Sequence, residues 1–343
     1  MLNVCVMLTA AILVADAAES GRRLLPDADS VKVRQPETDA GRAAVFSPDE
    51  KWFATSDGYD ELHLYEVTTG GRRRLQGPVL IATELSTTGY MNDTSQVTFA
   101  LDSATLAQSS ALKGHVHVWE VKTGRHLRKL GDNDAHLAPL RRGRFLMVAN
   151  QVAMATEVGN GKVKTFKTKL EETGEAVLPE VGQPRGDLVV GRARAIYSDH
   201  GVLALWRVGD DLTLLEELRT EARVGHVRFS GDGMRVYLLT ENGQLGTWDL
   251  ASRKLAWQPL PTFVSTDGAI EGPVAISGDG RRIATSRSDH VDVFDPISGR
   301  RTRYDIKKEC GLIAISPEVH ILALDCDEGP QDKVRSLLYF ARL

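Results

Sequence analysis

An aromatic residue recurs along most of the 343-residue chain, each time at the end of a short segment rich in β-branched and aromatic side chains. The recurring positions are Tyr65, Trp119, Phe166, Trp206, Trp248, Phe294 and Tyr339. Their successive separations are 54, 47, 40, 42, 46 and 45 residues. A period of this size is typical of proteins built from repeated small groups of secondary-structure elements. The spacing therefore predicts seven structural units.

Two kinds of turn recur within these units. The first is centred on a serine and occurs at Ser47-Pro48-Asp49, Ser230-Gly231-Asp232, Ser277-Gly278-Asp279 and Ser316-Pro317-Glu318. The second places a glycine five residues after the aromatic, at Gly70, Gly124 and Gly299. Both patterns predict tight turns, because proline presets φ, serine and aspartate bind nearby backbone, and glycine accepts positive φ. With strand-like segments between the turns, each unit is predicted to form a four-stranded antiparallel sheet whose third strand ends in the aromatic residue.

The units resemble the WD repeats of β-propellers, in which a strand ends in Trp-Asp. The pair stands in full as Trp248-Asp249, in softened form as Trp119-Glu120, Tyr65-Glu66 and Phe294-Asp295, and in degenerate form as Trp206-Arg207 and Phe166-Lys167. The resemblance implies an all-β fold, a seven-bladed β-propeller of four-stranded antiparallel blades, over residues 30–343. The family's Gly-His dipeptide is matched only by Gly225-His226, so most blades are expected to rely on apolar packing.

The two ends of the chain suggest how such a ring would close. Only four residues follow Tyr339, too few for the outer strand of the seventh blade. Residues 30–34 alternate as a strand does and are predicted to complete that last blade.

The first residues have the pattern of an export signal. An apolar run from Val4 to Val14 precedes Ala15-Asp16-Ala17, which fits a signal peptide over residues 1–17, with a linker over residues 18–29. The chain is then expected in the periplasm or outside the cell. A buried strand or a misassigned start remains the alternative, because the segment before the run carries no Lys or Arg; the protein would then be cytoplasmic. No later segment is long and apolar enough to span a membrane.

Removal of residues 1–17 would leave two cysteines, Cys310 and Cys326. A roughly symmetric hairpin around Ser316-Pro317 would place them opposite each other, where an oxidising compartment would permit a disulfide. A register shifted by one residue would turn them to opposite faces and leave two unrelated thiols.

Composition and motifs argue against several functions. A net charge of −4 and a pI near 6.2 argue against a general nucleic-acid binder. The sequence contains no nucleophile elbow, Walker loop, dinucleotide fingerprint or His-Glu-x-x-His motif.

His115-Val116-His117 and the acidic segment 325–332 are interpreted as surface features rather than metal or calcium sites. The strands predicted to line the channel offer one arginine, in Val227-Arg228-Phe229, and no carboxylate. We therefore expect no catalytic residues, no cofactor and no bound metal.

Function is then expected in the loops, which present binding residues on a rigid scaffold. The leading hypothesis is a monomeric, non-catalytic propeller that binds a protein or peptide partner through its loop face. The candidate contact residues are Tyr59, Arg287 and His290, since aromatic and arginine side chains dominate interface energies. The alternative is a metal-dependent hydrolase or lactonase-like propeller.

Overall fold

A computed structural model of the chain describes residues 23–34, 44–56, 62–76, 96–110, 115–130, 136–149, 152–157, 163–167, 177–193, 201–260, 273–328 and 335–343. The first half contains the strands β1 (Arg23–Leu25), β2 (Val31–Arg34), β3 (Ala44–Phe46), β4 (Trp52–Ser56), β5 (Leu62–Glu66), β6 (Arg72–Arg73), β7 (Gln96–Phe99), β8 (Thr105–Ser110), β9 (His115–Glu120), β10 (His126–Leu130), β11 (His136–Pro139), β12 (Arg144–Ala149), β13 (Val152–Glu157) and β14 (Val163–Lys167).

The second half contains the strands β15 (Val177–Gly182), β16 (Leu188–Ala193), β17 (Gly201–Val208), β18 (Leu212–Thr220), β19 (Val224–Phe229), β20 (Arg235–Thr240), β21 (Gln244–Asp249), β22 (Lys254–Pro259), β23 (Val274–Ile276), β24 (Ile283–Ser286), β25 (His290–Phe294), β26 (Arg301–Ile306), β27 (Cys310–Ile315), β28 (Ile321–Glu328) and β29 (Arg335–Arg342). No helix long and apolar enough to cross a bilayer occurs in these ranges.

The strands pair into sheets mostly in chain order. Six sheets have four antiparallel strands each, in the orders β3-β4-β5-β6, β10-β9-β8-β7, β11-β12-β13-β14, β15-β16-β17-β18, β19-β20-β21-β22 and β2-β29-β28-β27. In the last of these, Val31 of β2 lies opposite Phe340 of β29. The remaining sheet has five strands, in the order β1-β26-β25-β24-β23.

The prediction of seven four-stranded antiparallel blades is therefore wrong, because the described residues contain six sheets of that form and one larger mixed sheet. The extra strand, β1, runs parallel to β26, with Arg23 opposite Tyr304 and Leu25 opposite Ile306. It lies within the segment 18–29 that the sequence assigned to a linker. Leu25 is fully buried in a cluster with Tyr304 and Ile306, so apolar burial explains why this segment adds to the sheet edge.

The aromatic pattern also misplaces one residue. Tyr65, Trp119, Trp206, Trp248, Phe294 and Tyr339 lie in the third strand of their sheets, as predicted. Phe166 instead lies in β14, the fourth strand of its sheet. The third strand there, β13, has the sequence VAMATE and carries no aromatic residue. The aromatic residue found at the expected spacing, Phe166, therefore does not mark the third strand of its sheet.

The sheets are arranged around a common axis. Their first strands contact one another in succession, in the pairs β3 and β7, β7 and β11, β11 and β15, β15 and β19, β19 and β23, and β27 and β3. Apolar side chains fill the spaces between neighbouring sheets. Between the β27–β29 and β3–β6 sheets, for example, Phe53 lies 4.9 Å from Phe46 and 5.3 Å from Phe340, measured between ring centroids. Neither face of such a sheet is buried until its neighbours pack against it.

Two turn glycines make close contact with the preceding sheet. Gly70 and Gly124 have φ of +69° and +72°, a conformation that other residues adopt with difficulty. A Cβ atom added at Gly124 would lie 2.4 Å from the Arg74 carbonyl oxygen, and one at Gly70 would lie 2.8 Å from Cγ2 of Val33. Gly70 and Gly124 are thus required by backbone conformation and by packing, whereas Gly299, with φ of +72°, is required by backbone conformation alone.

Candidate functional site

Arg287 and His290, two of the predicted contact residues, flank one tight turn: Arg287 follows β24, and His290 is the first residue of β25. The Arg287 amide donates to the His290 carbonyl oxygen across 2.9 Å, which closes the turn. The Arg287 side chain is exposed. The third candidate, Tyr59, lies outside the described residues.

His290 is largely covered, with 8% of its surface exposed. Its Nδ1 lies 2.6 Å from Oδ1 of Asp289, and its Nε2 lies 3.3 Å from Oδ2 of Asp292. The hydrogen bond from His290 holds the pKa of Asp289 below its ordinary value. Asp289 itself has an exposed side chain, so Arg287 and Asp289 are the charged groups that this turn presents to solvent.

Asp292 connects the turn to the outer part of its sheet. Burial alone would raise the pKa of Asp292, but hydrogen bonds and positive charge from Arg301 and Arg303 outweigh burial and lower it. Nε of Arg303 donates to Oδ1 of Asp292 across 3.1 Å, and Arg301 donates to Oδ2. We call Asp289, His290, Asp292, Arg301 and Arg303 the His290 cluster. It anchors the base of the turn that carries Arg287.

The pair Asp292 and Arg301 belongs to a pattern that the sequence analysis missed. In three sheets, the polar residue two positions before the aromatic contacts the residue seven positions after it, as in His63 with Arg72, His117 with His126, and Asp292 with Arg301. The spacing of nine residues is constant because the aromatic lies directly opposite the later residue of each pair. A search for polar residues at both offsets would have found all three pairs.

His117, from the His-Val-His motif, lies in β9 and is buried. Its Nδ1 lies 3.0 Å from Nε2 of His126, and its ring stacks against Trp119. Burial lowers the pKa of His126, which favours the neutral imidazole. In the part of the chain that the structure describes, no group of three or more His, Cys, Asp and Glu residues is arranged to hold a metal ion.

Arg228, the arginine expected in the channel, makes contacts that extend over three sheets. It lies in β19 and donates hydrogen bonds to the carbonyl oxygens of Ile276 and Pro317 and to the carboxylate of Glu318. Glu318 also accepts from the Gly278 amide across 2.8 Å. This arginine is therefore engaged in joining sheets.

The turns between the first and second strands of the sheets form a continuous set of contacts, which we call the turn ring. Each sheet is joined to both neighbours there by a hydrogen bond. The donor and acceptor pairs are Asp49 N to Ser103 Oγ (3.1 Å), Leu101 N to Leu140 O (3.4 Å), Arg144 Nη2 to Asp187 Oδ1 (2.6 Å), Gln183 Nε2 to Gly233 O (2.5 Å), Gly231 N to Gly278 O (2.7 Å), Gly278 N to Glu318 Oε2 (2.8 Å) and Glu318 N to Glu50 Oε1 (2.7 Å).

Cys310 and Cys326 lie directly opposite each other on β27 and β28, with Sγ atoms 2.04 Å apart. Of the acidic segment 325–332, residues 325–328 belong to β28, and the rest lies outside the described residues. Glu328 binds Lys32 of β2 across 2.6 Å and accepts a hydrogen bond from the Tyr339 hydroxyl.

Comparison with known proteins supports the fold. No protein-family model matches the chain, and no curated protein matches its sequence. Among solved structures, it is similar to the β-propeller domain of Cps50 (Swd1) from Myceliophteria thermophila, with a TM-score of 0.63 and 13% sequence identity. The match covers 92% of this chain and 99% of that domain. At this identity the likeness establishes the architecture alone: the chain folds as a β-propeller.

Proposed function

We propose that the chain is a non-catalytic β-propeller scaffold that binds a protein or peptide partner through the turn between β24 and β25. The supporting observation is an exposed arginine on an immobilised turn: Arg287 projects from a backbone closed by its own hydrogen bond to His290 and anchored below by the His290 cluster. Because the backbone that carries Arg287 is already ordered, binding would not have to order the turn as well as the side chain, which favours the use of this arginine as an interface anchor.

The position of this turn in the sheet fits the same role. Strand β24 connects it to the turn Ser277–Gly280, so Arg287 lies at the end of the sheet opposite the turn ring. The turn ring joins neighbouring sheets, whereas the opposite end carries an exposed cation and an exposed anion, Arg287 and Asp289. Charged groups presented in this way steer and select a partner of complementary charge.

A metal-dependent hydrolase has no supporting geometry among the described residues, so we do not propose it as a second function. His290, which could ligate a metal, is instead held between two carboxylates, and one of them, Asp292, also binds Arg301 and Arg303. Arg228 likewise binds backbone carbonyl oxygens of two neighbouring sheets, so its role is to join sheets.

Photo-crosslinking tests the proposal directly. A photoreactive residue placed at position 287 should capture a defined partner, and the same residue at position 300 should not. Arg300 is the matched control because it is also exposed but lies at the other end of β25 in the same sheet. Binding of the captured partner to Arg287→Ala should then be weaker by about tenfold or more, the loss expected when an interface anchor is truncated.

Arg300→Ala should bind that partner as the unchanged chain does. Equal crosslinking at both positions, or measurable hydrolase turnover by the purified chain, would contradict the proposal. Tyr59→Ala in the same binding assay tests the remaining sequence candidate. Export stays a separate proposal, tested by amino-terminal sequencing: a mature chain that starts at Ala18 supports it, and an intact Met1 contradicts it.

A further inference from the structure

One turn of the turn ring differs from the others in charge. Of the seven turns between a first and a second strand that the structure describes, six contain an acidic residue. Those residues are Asp49, Asp102, Asp187, Asp232, Asp279 and Glu318. The turn between β11 and β12 contains no acidic residue. It carries Arg141 and Arg142 instead, and Arg144 follows as the first residue of β12.

The backbone of this turn is one that arginine adopts with difficulty. The Arg144 amide donates to the Arg141 carbonyl oxygen across 3.3 Å, and φ is +58° at Arg142 and +64° at Gly143. A two-residue turn with positive φ at both central positions favours Asn-Gly, Asp-Gly or Gly-Gly. Arg142 therefore occupies a position that asparagine, aspartate or glycine would fill at a lower cost in free energy. An arginine there indicates a use for its side chain outside the turn.

The neighbouring turn extends the positive surface to the next sheet. Nη1 of Arg141 donates to the Arg185 carbonyl oxygen across 2.9 Å, so the two turns are in contact. Asp187, the acid of the second turn, binds Arg144, with 2.6 Å between Oδ1 and Nη2. We call Arg141, Arg142, Arg144 and Arg185 the arginine patch. Because one aspartate faces four arginines, the patch keeps an excess of positive charge in a chain whose net charge is −4.

The side chains that carry this excess are open to solvent. Arg142 and Arg185 are exposed, and in the described part of the chain no carboxylate forms an ion pair with Arg141, Arg142 or Arg185. The acids of the flanking turns, Asp102 and Asp232, each accept hydrogen bonds from their own turn. Hydrogen bonds within its turn and, to a smaller extent, nearby arginine charges that include Arg185 hold the pKa of Asp232 below its ordinary value. The guanidinium groups of Arg142 and Arg185 therefore remain available to a ligand.

We propose that the arginine patch binds a carboxylate-rich segment of another protein. A guanidinium group matches a carboxylate through two parallel N–H donors, and clusters of arginines are a recurrent means of recognising acidic segments. Arg142 and Arg185 belong to turns of different sheets, so a ligand that meets both must carry more than one negative charge along its length. Each exposed contact contributes little free energy, so several must form together.

Charge on the rest of the molecule favours a short acidic segment over a nucleic acid. A nucleic-acid strand also repeats negative charge along its length, but it continues beyond a patch formed by two turns. The net charge of −4 then opposes the remaining phosphates. An acidic segment can end where the arginines end.

Fluorescence anisotropy with a labelled peptide tests the proposal on the full chain. The probe is a peptide of about eight alternating aspartates and glutamates, and the control peptide has asparagine and glutamine in their place. The acidic probe should bind at low ionic strength, and its affinity should fall as the salt concentration rises to about 0.15 M, because the contacts are exposed. The control peptide should not bind.

A pair of charge reversals locates the contact. Arg142→Glu should weaken binding of the acidic probe by about tenfold, because it replaces an attraction with a repulsion at the patch. Arg281→Glu is the matched control, since Arg281 is also an exposed arginine of the turn ring but lies in another sheet, beside Asp279. Both variants change the net charge equally, so repulsion by the whole chain is the same in both. Arg281→Glu should change the affinity by less than about twofold.

Arg142→Asn separates a binding role from a structural one. This variant gives the turn the Asn-Gly pair that its backbone favours, so it should fold even if the charge reversal does not. The urea concentration at the midpoint of unfolding should rise, whereas the acidic probe should bind several-fold more weakly. A lower midpoint would show that the arginine serves the turn itself and would overturn the proposal.

Other results would also overturn it: no binding of the acidic probe at low ionic strength, equal weakening by Arg142→Glu and Arg281→Glu, or tighter binding of an oligothymidylate with the same number of charges. The last would assign the patch to nucleic acid. The proposal does not rest on partner binding by the turn between β24 and β25, which lies at the opposite end of its sheet. Arg287→Ala should therefore leave the affinity for the probe unchanged, and a loss of binding in that variant would place the acidic segment on that turn instead.

Discussion

Two turns of the turn ring, Ser277–Gly280 and Ser316–Val319, have the same pattern of backbone hydrogen bonds. They differ in what the carboxylate of their third residue binds. In both, the amide of the fourth residue donates to the serine carbonyl across 2.9 Å. In both, the serine hydroxyl accepts from the amide five residues on, also across 2.9 Å. The third residue is Asp279 in one turn and Glu318 in the other, and here the two turns diverge.

Asp279 stabilises its own turn, whereas Glu318 joins neighbouring sheets. The carboxylate of Asp279 accepts from the Ser277 hydroxyl across 2.6 Å and from the Arg281 amide across 2.9 Å. The carboxylate of Glu318 instead binds Arg228 and the Gly278 amide. One additional methylene thus moves the negative charge from a local role to a contact between sheets. A repeat can therefore keep its turn geometry while a single residue takes on another function.

The largest effect on stability is expected from removing Arg228, the partner of Glu318. Arg228→Ala deletes hydrogen bonds to two carbonyl oxygens and a carboxylate, so we expect the free energy of unfolding to fall by about 2–3 kcal/mol. Urea denaturation followed by intrinsic fluorescence measures the change. Arg228→Lys should recover only part of it, because a lysine cannot reach three acceptors with a planar fork of donors.

Arg281→Ala is the control for that experiment. Arg281 is an exposed arginine of the neighbouring turn, so its removal should change the free energy of unfolding by less than about 0.5 kcal/mol. Equal effects of Arg228→Ala and Arg281→Ala would show that Arg228 does not join the sheets energetically.

A double-mutant cycle sharpens the comparison between the two turns. Ser277→Ala should cost about 1 kcal/mol, and its effect should depend on Asp279, because the two side chains are hydrogen-bonded to each other. We expect a coupling energy above about 0.5 kcal/mol between Ser277→Ala and Asp279→Ala. Ser316→Ala and Glu318→Ala should be nearly additive. Equal coupling in the two turns would contradict the assignment of separate roles.

Local sequence signals predicted the elements of the fold better than its edges. The serine turns and the turn glycines follow from the conformational preferences of single residues, and the structure places them as predicted. The prediction failed at β1, because a three-residue strand has no periodicity and depends on what its one buried side chain, Leu25, meets elsewhere in the chain. It failed at Phe166 because an aromatic at the expected spacing need not belong to the third strand.

The candidate site was predictable only in part. The turn containing Arg287 and His290 could be found from polar residues between two strand-like segments. The burial of His290 could not, because it depends on Asp292 and on the arginines of the next strand. The contacts of Arg228 were equally hidden, since Pro317 and Glu318 are about ninety residues away in the chain. Contacts between sheets leave no local pattern in the sequence.

The smallest expected effect is on the way the free energy of unfolding changes as the pH is lowered. Hydrogen bonds lower the pKa of Asp49, Asp232 and Asp279 in the folded chain; for Asp49 and Asp279 they do so against burial, which would raise it. These groups therefore bind protons more readily in the unfolded chain, and their contribution to stability is present above the unfolded value of about 4 and is lost as the pH falls through the folded values. Asp279→Asn should flatten the acid side of a plot of unfolding free energy against pH, because that residue no longer titrates.

Glu318 serves as the counterpart for the comparison: if the carboxylates of the two turns have different roles, Glu318→Gln should lower the free energy of unfolding at neutral pH and leave the acid slope contributed by Asp279 in place. An unchanged acid slope in Asp279→Asn would show that the local hydrogen bonds of this turn do not stabilise the charged carboxylate.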